Sequence, residues 1–160
     1  MGYMKKTLKD MKETVKDYIY GIGFLIILCL LITAHRDEYV IEAKIFGEVN
    51  DIRIDQGTHN LTRNSNLDTL AKNHSIKMKE LNYLEHTNYN VGENIVEIPV
   101  WYWTEGCGLT ITNKQIARCM VKGWSESPGH YTNMIDSSYS ITGVGVSCDV
   151  FECKGTQNFM

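Results

Sequence analysis

At 160 residues, with 43% hydrophobic and 10% aromatic side chains, the chain is long enough to bury one core and too short for two ordinary domains. Its formal net charge of −3 is unevenly placed, because residues 1–34 carry five Lys against three acids while the remainder carries 11 bases against 16 acids. An acidic body with scattered bases offers no footprint for a phosphate backbone, so nucleic acid is set aside as a partner.

Residues 19–34 (IYGIGFLIILCLLITA) hold no charged side chain. As a helix rising about 1.5 Å per residue they reach roughly 24 Å, slightly short of a bilayer core. Tyr18 as an interfacial anchor and local thinning of the bilayer complete a span. Lys5, Lys6, Lys9, Lys12 and Lys16 precede the segment, whereas Arg36 is the single base just after it. The positive-inside rule therefore keeps residues 1–17 cytoplasmic and exports the rest. Two outcomes share this topology: an uncleaved signal anchor over residues 18–34, or a signal peptide removed after Ala34. A long charged leader and a bulky Ile32 three residues before that cleavage point favour the anchor. The expected location is the cell membrane with the domain outside, or secretion after cleavage. Residues 35–50 read as a polar stalk, in which YVIEAKIF can be a strand or a continuing helix, and residues 51–160 as the exported domain.

From Asn66 onward, Leu67, Leu70, Ala71, His74, Met78 and Leu81 recur at spacings of three and four and line one face of a helix. Asn64 or Ser65 supplies its cap, and Lys72, Lys77, Lys79 and Glu80 take the solvated side. Residues 97–103 read as a strand. Thr112-Asn-Lys-Gln115 is a capping box that opens a second helix, with Ile116, Cys119, Met120 and Trp124 as its apolar face. Pro128 and Gly129 end it, and HYTNMI follows as a turn or short helix. ITGVGVSC and KGTQNFM read as closing strands, the first alternating valines with small residues. Helices before and between strands, without a βαβ rhythm, define an α+β layered domain.

Cys29 lies in the apolar segment, leaving an even set of Cys107, Cys119, Cys148 and Cys153, as a disulfide framework in an exported domain would have. Cys148 and Cys153 flank DVFE, short enough for a hairpin that brings them to bridging distance, which leaves Cys107 for Cys119. Asn60-Leu-Thr62 and Asn73-His-Ser75 are sequons, making Asn60 and Asn73 candidate glycosylation sites.

In order along the chain, AKNHSIKMKELNYLEHTN, NVGENI, GWSESPGHYTNMI and the pair ITGVGV and TQNF resemble the landmarks of the CAP superfamily, the SCP-like extracellular and pathogenesis-related domains, in its microbial form. The resemblance covers roughly residues 51–160. It implies an α-β-α sandwich of the CAP type, preceded here by the N-terminal transmembrane or signal helix, with a cleft that gathers two His and usually two acids. Carried over residue by residue, these are His86, His130 and Glu93. The second acid falls at Ser127, with Glu126 pointing about 100° away on a helix. The interval between His86 and Gly92 is also short, which trims the cleft rim, and Trp101, Trp103 and Ser127 are assigned to that rim.

Two imidazoles and a carboxylate suit a divalent transition ion, so the donor chemistry leaves two expectations, zinc or no cofactor, with zinc ahead of calcium and its demand for six to eight oxygens. Glu93 is then a third ligand or an outer partner of the His pair. Against this stand structural roles for each residue: His86 capping a helix, Glu93 accepting backbone hydrogen bonds in a turn, His130 ordering the bend after Pro-Gly. His74, on an apolar face, is expected to be a core His bonded to backbone, and Trp124 a core side chain. The functional expectation is a displayed or secreted binding module taking a small apolar (lipid) or peptide ligand. The alternative is a metal-assisted or Glu/His-dependent hydrolase using Glu93 and His130. A third class, a purely structural surface protein, would have a packed cleft.

Overall fold

In the computed structural model, residues 2–33 and 36–160 are described, and of residues 2–10 and 28–33 only the backbone. The chain divides into two units, residues 1–35 and 36–160. The first contributes helix α1 (Gly2–Thr33). Among the described residues no helix is long and apolar enough to cross a membrane by hydropathy. Ala34, the expected cleavage point, lies outside the described residues, as do the side chains of Cys29 and Ile32.

The second unit contains α2 (Glu38–Asp55), β1 (Thr62–Arg63), α3 (Ser65–Glu80), β2 (Gly92–Pro99), β3 (Trp103–Thr104), β4 (Gly108–Leu109), α4 (Asn113–Glu126), α5 (Pro128–Ile135), β5 (Ile141–Cys148) and β6 (Glu152–Phe159). One four-stranded sheet runs in the order β1-β5-β6-β2, with β1 parallel to β5 and the other pairs antiparallel. Helix α3 packs on one face, against β5 and β6, and α2, α4 and α5 cover the other. The result is a mixed α/β sandwich with helices on both sides.

The alternation in β5 explains the two faces. Val144 and Val146 are fully buried in the core with Ile41, Ile45, Met120 and Trp124. Gly143 and Gly145 instead meet α3, where a Cβ would lie 2.1 Å from the backbone of Leu67 and of Lys72 respectively. Helix α3 can approach the sheet this closely only over residues without side chains. Ser75 then donates to the Gly145 carbonyl (2.8 Å), and its Oγ lies 2.9 Å from Thr156 Oγ1, across the contact.

Asn64 caps α3 through Asn66 N–H and Leu67 N–H, and Thr112 with Gln115 completes the capping box of α4. Two expectations are corrected here. Leu81 is 62% exposed, because α3 ends at Glu80 and the chain turns away. Residues 35–50 are not a stalk: α2 inserts Ile41, Ile45 and Val49 into the core, all fully buried. Glu38, Glu42 and Arg53 of this helix are bound inside the domain, whereas Asp51 and Asp55 are exposed. Arg53, also fully buried, donates to the carbonyls of His59, Met134, Asp136 and Tyr139 at 2.8–3.1 Å. Beyond its short pairing with β1, the edge of β5 is closed by carboxylates: Asp68, Glu42 and Glu38 accept from the N–H groups of Val144, Val146 and Cys148. Such capping removes the free strand edge that invites foreign pairing.

Both expected disulfides are present. Cys148 and Cys153 are register partners at the end of the β5–β6 hairpin, 4.1 Å apart at Cα. Cys107–Cys119, 5.5 Å apart at Cα, ties the β3–β4 hairpin to α4.

Candidate functional site

The loop after α3 leaves the helix through Asn82, a left-handed residue (φ 50°), and returns to the sheet at Gly92. Its path is fixed from inside the domain. His74, 7% exposed on α3, hydrogen-bonds through Nε2 to the Glu85 carbonyl (2.8 Å). The expected core histidine therefore also positions the residue before His86.

Glu93 sits in β2 rather than in a turn, because the strand pairs from Gly92 with Phe159 and places Glu93 opposite Asn158. Its side chain is buried and its oxygens are engaged. Oε1 accepts from Thr87 N (2.8 Å) and lies 2.9 Å from His86 Nδ1, and Oε2 accepts from Thr87 Oγ1 (2.8 Å). A carboxylate on Nδ1 selects the tautomer in which that nitrogen carries the proton, leaving Nε2 with its lone pair. Thr87 went unassigned in the sequence, although it adjoins His86 in LEHTN.

His130 comes from the first turn of α5. Its carbonyl accepts from Asn94 Nδ2 (3.0 Å), and Asn133 of the same helix donates to Asn94 Oδ1 (3.0 Å) and to the Glu93 carbonyl (3.3 Å). These amides fasten α5 to β2 beside Glu93. The His86 and His130 rings lie 5.9 Å apart between centroids, tilted by 50°. Burial, and then the neighbouring His86, hold the His130 pKa below its ordinary value, which favours the neutral imidazole.

Among the described residues no three His, Cys, Asp or Glu side chains are grouped so as to hold a metal ion. The donor set fits zinc only in part: two imidazoles converge, while the Glu93 oxygens are occupied behind them. Ser127 joins α4 to α5 without a side-chain cap bond, and Glu126 is exposed and paired with Lys122. Trp101 and Trp103 are not on the cleft rim. They follow the far end of β2, and the six steps from Glu93 to Pro99 at about 3.3 Å each put roughly 20 Å between them and the cleft. A pocket of about 420 Å³ does adjoin His86, lined by Leu70, His74, Lys77, Tyr83 and Tyr89 among others.

A sandwich of helices on a four-stranded sheet, with two histidines meeting over a buried glutamate, defines the class. The chain belongs to the CAP family, the cysteine-rich secretory proteins, whose family model matches residues 46–159. It is 30% identical over 122 residues to YlbC of Bacillus subtilis, named an uncharacterized membrane protein, spanning 74% of this chain and 34% of that one. An extracellular Bacillus anthracis protein containing an SCP domain superposes with a TM-score of 0.59 at 24% identity, over 77% of this chain and 41% of that one. NaASP2, solved with Zn2+, superposes with a TM-score of 0.58 at 14% identity, over 75% of this chain and 78% of that one. The chain thus spans about a third of the curated relative and two-fifths of the Bacillus anthracis protein.

Proposed function

We propose that the chain displays a CAP binding module outside the cell, held at the membrane by residues 19–34, and that His86 and His130 form a two-imidazole docking point for a zinc-type ion through which a ligand is captured. The observation that carries this reading is the ring pair itself, with Glu93 pinning the His86 tautomer so that Nε2 remains a donor. Glu93 acts behind the pair, as a partner of His86 rather than a third ligand. When bound, zinc would supply a Lewis-acidic centre with positions left for a ligand group. The adjoining pocket, with Lys77, Tyr83 and Tyr89 in its wall, suits a peptide or other small ligand with polar groups. The binding reading is preferred over hydrolysis because both Glu93 oxygens already accept hydrogen bonds and the family's second acid is Ser127. A free general base is what a hydrolase would need here.

The membrane part of the proposal rests on the uncharged run of residues 19–34, on the lysines before it, and on the membrane designation of the Bacillus subtilis relative. The test of the site is calorimetric titration of the full chain in detergent with zinc and with calcium. Zinc binding that His86→Ala and His130→Ala each abolish, without loss of the folded circular-dichroism spectrum, is the expected outcome. Equal zinc binding by parent and both variants refutes the assignment.

A further inference from the structure

One end of the domain carries aromatic side chains that the cleft does not use. Glu38, at the start of α2, accepts from the N–H of Cys148 (2.6 Å), so the N-terminus of α2 and the β5–β6 turn share this end. The N–H of Val100 donates to the Phe151 carbonyl (2.6 Å), which sets the hairpin of residues 100–110 beside the same turn. Arg36 closes the group, donating to the Ile111 carbonyl and lying 5.5 Å over the Trp101 ring. Here Tyr39 is 72% exposed, Trp101 46%, Tyr102 64%, Trp103 72% and Phe151 76%.

The hairpin is built to hold these rings outward. Trp101 stands in the left-handed region (φ 63°), where a bulky residue persists only if its surroundings impose it. Trp101 N–H donates to the Thr110 carbonyl and Thr110 N–H to the Tyr102 carbonyl, both at 3.0 Å, and Trp103 pairs with Leu109. The Cys107–Cys119 disulfide anchors the hairpin to α4. Pairing of Trp101, Tyr102, Trp103, Leu109 and Thr110 within the hairpin lowers the cost of bringing its rings into a water-poor environment, where an unpaired N–H is costly.

Aromatic rings with a polar tip are the side chains favoured where a bilayer meets water. The chain enters the domain at this same end: Arg36 follows the apolar segment 19–34 with one residue between. An exposed aromatic surface beside a membrane tether has the bilayer as its nearest apolar phase.

We propose that this aromatic end docks the domain on the bilayer that holds its N-terminal segment, with Trp101, Tyr102, Trp103 and Phe151 at the boundary of headgroups and acyl chains. The proposal rests on the membrane-anchored reading given above. The contact is aromatic with mixed charge around it. Asp149 in the turn accepts from the N–H groups of Phe151 and Glu152. Arg36 donates through Nη1 to the Ile111 carbonyl and lies over Trp101, while its Nε and Nη2 have no partner among the described residues. Glu105 in the hairpin is exposed, so no single sign of charge prevails and zwitterionic lipid is the test surface.

The chain's own tryptophans provide the test. Of its three, Trp101 and Trp103 lie on this surface, and Trp124 is fully buried with Nε1 bonded to the Ile95 carbonyl. The full chain is reconstituted in phosphatidylcholine vesicles containing lipid brominated near the headgroup end of its acyl chains. Retention after an alkaline carbonate wash is scored separately. The expected result is loss of most of the emission of Trp101 and Trp103, with no quenching in the W101F/W103F double variant, which reports on Trp124 alone. Retention without quenching overturns the docking and leaves the anchor standing. Quenching of a chain that carbonate then extracts supports the docking and removes the anchor. Rings shielded from both lipid bromine and aqueous iodide would mean that a protein, a second copy or another chain, covers the surface, and would overturn the proposal.

Discussion

Replacing Glu93 distinguishes a carboxylate that orients His86 from one that binds metal. The side chain accepts three hydrogen bonds, from His86 Nδ1, Thr87 N and Thr87 Oγ1, all at 2.8–2.9 Å and shielded from water. Glu93→Gln keeps the shape and one acceptor oxygen and removes the charge. In place of Oε1 that oxygen retains His86 Nδ1 and Thr87 N and sets the amide group against the Thr87 hydroxyl; in place of Oε2 it sets the amide group against the two donors His86 Nδ1 and Thr87 N. Hydrogen bonds to a charged group contribute about 1.5–3 kcal/mol each. Relief of the mismatch by rotation of the half-exposed His86 recovers part of this, so a stability loss of about 1–3 kcal/mol is expected. Loss of the orienting partner of a ligating His lowers metal affinity about 10–100-fold, which is about 1.4–2.7 kcal/mol of binding free energy. Competition with a chromogenic zinc chelator, run beside His86→Ala, reads the affinity, and urea unfolding reads the stability. The reasoning fails if Glu93→Gln removes zinc binding as completely as His86→Ala, which would make the carboxylate a ligand. It fails equally if neither affinity nor stability changes.

Arg53→Met removes the donor to four carbonyls in a fully buried site, and a loss of about 3–5 kcal/mol in urea unfolding is expected; a loss below about 1 kcal/mol would show that those carbonyls find water. The depressed pKa of His130 makes stability pH-dependent: the unfolded chain takes up a proton near pH 6.5 before the folded one does, so this contribution is complete above that pH and falls as the pH drops toward the folded value. Unfolding midpoints measured from neutral pH downward should show the decline, and His130→Gln should flatten it.

Helices α3 and α4 were legible because their signals are local. A three-and-four spacing of apolar residues and a capping side chain at Asn64 or Thr112 do not depend on the rest of the chain. Helix α2 was not, because its buried side carries Glu42 and Arg53 beside Ile41, Ile45 and Val49, and a helix with charges on its core face has no apolar stripe. Those charges are acceptable only because β5, the end of α5 and the loops at 59 and 136–139 bring partners that no local pattern announces. The same distinction runs through the site. His86, Glu93 and His130 were reached through a family resemblance, not from spacing, since they converge from a loop, a strand and a helix. The parts played by Thr87 and His74 depend on the course of residues 81–91. Trp101 and Trp103 were assigned to the rim from their aromatic character alone, whereas the strand begins at Gly92 and carries the tryptophans its full length away from the cleft.

That strand length bears on the ligand. β2 has Glu93 near one end and Pro99 at the other, and eight residues at about 3.3 Å make it roughly 26 Å long. A domain seated on the bilayer by its aromatic end, as proposed, therefore holds Glu93 and the His86–His130 pair at the far end of β2, while the adjoining pocket runs from them along α3, whose Lys79 reaches the Cys148 carbonyl (3.3 Å). A lipid leaving the membrane would have to cross that distance through water, whereas a peptide or other soluble ligand meets the cleft directly. The docked orientation thus favours a polar ligand from outside the cell over an apolar one drawn from the bilayer, in agreement with the charged and hydroxyl-bearing wall that Lys77, Tyr83 and Tyr89 give the pocket.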